Sequence, residues 1–240
     1  MNKVKVPSIQ HAAGIWFPDP QKIAKHLLAL ANSAPPFSYE NLYKLTYDLL
    51  SRGAPYEQIE LAAQKMRHPL ARRNYLEILP LLRVFESRAA IEFVSEIAPR
   101  SYPIGRDLRV LVNPPLIYFG GGQSFLPWFI FWKTNRFDEA RLRLFVTMIR
   151  EVFAQDPDID DASLSLVICS EPIPKKGRGL QVLDTSSIAS LSEGERNEML
   201  AIFAKGYAMA VSAQAEGRSA GKELSDGDRD SSDDQPDLFA

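Results

Sequence analysis

A chain of 240 residues, 45% of them hydrophobic, has enough apolar material for a sizeable core, in one large domain or two small ones. Its formal charge of −2 hides an asymmetry, because residues 216–240 carry eight acids against three bases and leave residues 1–215 with 22 acids against 25 bases, a net +3. That balance permits nucleic-acid contact without demanding it; the single cysteine, Cys169, excludes an internal disulfide and a cysteine-based zinc site; and no apolar run reaches the roughly 18 residues of a membrane span, so a cytoplasmic protein is expected.

Residues 1–18 read as strand-like or irregular. Asp19-Pro20 then supplies an N-cap and a proline at the first helical position, opening a helix to about Asn32 with Ile23, Leu27, Leu28, Leu30 and Ala31 on its apolar face. Ser38 is expected to cap a second helix, in which Leu42, Leu45, Leu49 and Leu50 line one side and Tyr39, Tyr43 and Tyr47 recur every four residues on another. A third short helix runs from Pro55 to about Met66, and a fourth from about Pro69 is expected to pass or kink at Pro80 and continue to Ala98.

After Pro99 the pattern becomes extended. Leu108 to Val112, Leu116 to Phe119 and the aromatic run Phe125 to Lys133 read as three strands in an antiparallel meander, the last two joined at Gly120-Gly121-Gly122. The third strand, nearly unbroken in apolar residues, is expected in the interior of the sheet, with Pro127 at its start or at a bulge. A core-facing helix over Phe137 to Phe153 follows, then strands at Leu164 to Cys169 and Leu180 to Leu183 with a basic loop between them. Ser192-x-x-Glu195 is a capping box that opens a last helix to about Val211. The resulting expectation is an α+β protein: a helical region over 1–98, a mixed, mostly antiparallel sheet domain over 99–215 packed with it as one unit, and a disordered acidic tail over 216–240.

No catalytic constellation is legible. His11, His26 and His68 stand in no metal-ligand spacing, Cys169 sits in an apolar strand with no local base, and the glycine run precedes a strand, not the helix N-terminus a phosphate loop needs. No metal and no cofactor is expected. The order of elements from Glu86 to about residue 170, helix, meander, helix, strand, resembles the common core of the PD-(D/E)XK nuclease superfamily. That resemblance implies an acid on the second strand and an acid-x-lysine on the third. Lys133 matches the lysine, but Phe131 holds the acid position and Leu116 to Phe119 has no acid; Glu92, Glu96, Asp107 and Asp138 would have to substitute from neighbouring elements.

Two surface features remain. Arg136, Arg143 and Arg150 recur at seven-residue spacing along the central helix, and Lys175, Lys176 and Arg178 cluster in the basic loop; together they are the candidates for a weak, salt-sensitive nucleic-acid contact. Gln235-Pro236-Asp237-Leu238-Phe239 resembles the pentapeptide Gln-x-x-Leu-Phe by which bacterial DNA polymerases and repair proteins dock on the sliding clamp, with Pro236 in place of the usual leucine. The resemblance implies that Gln235 satisfies backbone groups at a pocket mouth, that Asp237 suits a position where the family often has a small or acidic residue, and that Leu238 and Phe239 fill an apolar cleft. The expected function is therefore a non-catalytic accessory protein of bacterial DNA replication or repair, recruited to the clamp; the alternatives are a divergent nuclease and an interaction module unrelated to DNA.

Overall fold

The computed structural model describes residues 3–33, 37–157, 159–173 and 175–215; the pentapeptide Gln235 to Phe239 lies outside the described residues. The elements run α1 (Ile9–Gly14), α2 (Pro20–Asn32), α3 (Glu40–Leu50), α4 (Tyr56–Gln64), α5 (Pro69–Arg88), β1 (Phe93–Ser95), β2 (Arg100–Pro103), β3 (Arg109–Val112), β4 (Ile117–Gly120), β5 (Gln123–Ile130), α6 (Glu139–Phe153), β6 (Ser163–Ile168), β7 (Gln181–Asp184) and α7 (Glu193–Ala215). The class is α+β, with a five-stranded mixed sheet in the order β1-β4-β5-β6-β7 and a two-stranded ribbon of β2 and β3.

β5 is the middle strand, antiparallel to β4 and parallel to β6. Its aromatic run is explained by burial on both faces: Leu126, Trp128, Ile130 and Trp132 join one core, while Phe129 and Phe131 join the other. The first core lies between the sheet and α1, α2, α6 and α7; the second lies between the sheet and α3, α4 and α5. Helices from the N-terminal region thus cover both faces, making three layers. Pro127 stands within the strand, not at its start, and pairs in register with Ser165. The ladder to β4 ends at Tyr118–Phe125, two residues earlier, so one side of the strand has already lost its backbone partner where the residue without an N–H stands.

The expected meander of three consecutive strands is replaced by β1, β4 and β5, with the β2–β3 ribbon inserted in the chain between the first two. Leu108 to Val112 pairs with Arg100–Pro103 in the separate ribbon, and the first strand of the main sheet is β1, taken from a stretch read as helix. Two local causes act together. The helix closes at Arg88, where the Ala89 amide makes the last helical bond, and Phe93-Val94 beyond it favours extended backbone. Asn113-Pro114-Pro115 cannot form a tight hairpin between β3 and β4, so Val110 and Val112 turn to the first core instead. Within α5, Pro80 is carried through by the buried Ile78, Leu79, Leu82 and Phe85 around it.

Other local readings match closely. Asp19 caps α2 at the Gln21 amide (2.8 Å), and Ser192 and Glu195 make the reciprocal bonds of a capping box. Gly121 and Gly122, at φ 59° and 75°, form the two-residue turn of the β4–β5 hairpin, a conformation that favours glycine. Residues 9–14 form the buried helix α1 where strand-like or irregular structure was expected; its six residues are too few to show a helical period. No helix among the described residues is long and apolar enough to cross a membrane.

Candidate functional site

At the position where the nuclease resemblance calls for an acid, just beyond β5, the chain places an aromatic ring. Phe131 is fully buried, tilted against Tyr43 at 4.9 Å and Tyr39 at 5.9 Å, and stacked on Phe129 at 5.8 Å. The four neighbouring acids lie on separate elements: Glu92 accepts from the Gly121 amide (3.0 Å), Glu96 follows β1, Asp107 lies between β2 and β3, and Asp138 caps α6 at the Arg141 amide (2.9 Å). Among the described residues, no group of three acidic, histidine or cysteine side chains is placed to hold a metal ion.

The candidate phosphate contacts separate into two kinds. Arg143 and Arg150 face the segment after β7: Arg150 donates to the carbonyls of Ile188 (2.8 Å) and Thr185, and Arg143 to those of Ala189 (3.2 Å) and Ser190 (3.4 Å). They tie that segment to α6. Arg178 belongs to the interior. Its side chain is 1% exposed and donates to the carbonyls of Phe131 and Cys169 (both 2.9 Å), to the Tyr39 hydroxyl (3.2 Å) and to Asn74 Oδ1, with Glu77 at 3.4 Å as its carboxylate. A fixed guanidinium thus sits on the C-terminal ends of the two parallel strands, a position where open α/β sheets otherwise receive ligands. Lys175 and Lys176 are exposed in the loop that Arg178 anchors.

Arg136 has a different setting. It lies at 6.0 Å over the Trp132 ring at the mouth of a pocket of about 590 Å³, which Arg141, Phe17 and His26 also line. Arg141 stacks on Phe17 (4.5 Å), and Phe17 stacks on His26 (5.1 Å). Desolvation, reinforced by the positive charges of Arg136, Arg141 and Lys25, pushes His26 below the ordinary histidine range. Asp138, 3.5 Å from Arg141, also lines the pocket and offsets one of these charges, leaving a net positive field that favours an anion. Neither Arg141 nor His26 stood out in the sequence, because their grouping depends on α2 packing beside the loop after β5. Of the other residues considered, His68 caps α5, and Cys169 is buried with its thiol pushed up to about 12, which makes it an inert core residue.

Compared with protein-family models, curated proteins and solved structures, the chain matches none of them.

Proposed function

We propose that this chain is a non-catalytic accessory protein of bacterial DNA replication or repair, recruited to the sliding clamp through Gln235, Asp237, Leu238 and Phe239. The observation that carries this reading is the pentapeptide Gln-x-x-Leu-Phe, with adjacent Leu and Phe set beyond a strongly polar stretch. Supporting a non-catalytic body is the filling of the third-strand acid position by the buried Phe131. The Arg136–Arg141–His26 pocket and the exposed Lys175 and Lys176 offer weak phosphate contacts beside it. The test is capture of the host clamp by the full chain. The wild type retains the clamp, and the Leu238→Ala/Phe239→Ala variant does not; equal capture by both overturns the proposal.

One observation favours the divergent-nuclease reading: the succession of α5, the antiparallel β1, β4 and β5, the crossover α6 and the parallel β6. Cleavage of DNA by the purified chain with magnesium or manganese, lost on Glu96→Gln, would decide for it.

A further inference from the structure

A cleft of about 740 Å³ opens between α3 and the segments flanking β2 and β3. One wall is the stripe Glu40, Tyr43, Tyr47 and Asp48 of α3, spaced so that all four leave the same side of the helix. Facing it are Glu96 and the 45%-exposed Leu111; Gln10 and Trp128, joined by a 2.7 Å bond from the indole N–H, form the floor. Lys44 pairs with Glu40 at 2.8 Å, while Asp48 and Glu96 have no cationic partner among the described residues. The cleft is therefore net negative, with aromatic surface beside the charge.

A second observation points to a ligand. His11, 4% exposed, lines a small void that shares Ser8, Gln10 and Tyr43 with the cleft. Its Nδ1 is 2.9 Å from the Ser8 hydroxyl, and its Nε2 has no hydrogen-bond partner among the described residues. Burial keeps this ring neutral, and in the tautomer whose Nδ1–H donates to the Ser8 hydroxyl oxygen Nε2 is a hydrogen-bond acceptor.

We propose that this cleft receives a cationic side chain, arginine or lysine, presented on a peptide segment of a partner protein. Asp48 and Glu96 supply the countercharge, the Tyr43 and Tyr47 rings supply cation–π surface, Leu111 covers the aliphatic stem, and His11 Nε2 accepts from the side chain's N–H through the void. The charge rules out two competitors: a nucleic-acid phosphate is repelled, and so is the chain's own segment 216–240, with eight acids against three bases. This proposal does not depend on the clamp reading.

The test is an NMR titration of the full-length chain with N-acetyl-arginine amide, N-acetyl-lysine amide and N-acetyl-glutamine amide. The two cations are expected to give saturable shifts at Tyr47 and at His11 Nε2, with Kd on the order of 1–10 mM and the stronger cation identifying the preferred head group. The neutral amide gives none. The exposed pair Asp48→Asn/Glu96→Gln weakens cation binding about tenfold. Absence of saturable shifts, equal shifts from the glutamine amide, undiminished binding in the double variant, or shifts in the same residues from a single-stranded oligonucleotide would each overturn the proposal.

Discussion

Two buried side chains set the chemistry of single residues in this protein. Burial, with the charge of Arg136 beside it, pushes the His11 imidazole down to about 3, against an ordinary value near 6.5. The native state therefore refuses a proton that the unfolded chain accepts, so this contribution to stability is complete above about pH 6.5 and is lost as pH falls toward 3. The expected loss reaches up to about 4 kcal/mol at the acid end. Urea denaturation from pH 7 to 3 should show a flatter pH dependence for His11→Gln than for the wild type; parallel curves would contradict the assignment. Arg178 presents the opposite case, a charge kept buried by saturating its donors with four oxygens besides Glu77. Arg178→Ala leaves two strand-end carbonyls and Asn74 without this donor and is expected to cost about 3 kcal/mol or more in chemical denaturation. A cost below about 1 kcal/mol, the range of a surface pair, would show that the network contributes little.

At the scale of elements, packing decides where propensity alone does not. α2 and α7 meet at Gly206, where an added Cβ would come within 2.7 Å of Ile23 Cβ and 2.8 Å of the Pro20 carbonyl. Gly206→Ala improves helix propensity, yet it is expected to destabilise the protein by about 1–3 kcal/mol through overpacking, measured as a lower denaturation midpoint. Increased stability would mean that the two helices are free to separate. The same contrast explains what the sequence revealed. β5, β6, α2, α6 and the capping box of α7 were legible because their signals are local: a run buried on two faces, a helical stripe, a cap. β1 and the β2–β3 ribbon were not, since the choice of β1 over β3 as the partner of β4 depends on a helix ending at Arg88 and on two prolines that redirect the chain. Site residues divided similarly. The seven-residue spacing of Arg136, Arg143 and Arg150 was visible, but their different tasks depend on residues 185–190 lying beside α6 and on Trp132 lying under Arg136. The tyrosine stripe of α3 was also visible, but its cleft required Glu96 and Leu111 from distant segments.

For the whole molecule, a three-layer body without a metal cluster among its described residues is joined in sequence to a polar segment and a clamp-like pentapeptide. The body carries an acidic cleft between α3 and the segments flanking the β2–β3 ribbon, and a basic pocket at the end of β5, so the protein and phosphate contacts proposed above would fall at different places. About twenty residues separate Ala215 from Gln235. The central claim rests on Leu238 and Phe239, whose burial in a preformed cleft is worth roughly 1.5–3 kcal/mol each before ordering costs. Its most direct test is calorimetric titration of a peptide of residues 230–240 against the host sliding clamp, with the Leu238→Ala/Phe239→Ala peptide as control. Saturable binding of the native peptide and none of the control is the expected result; absent binding, or equal binding of both peptides, would contradict the claim.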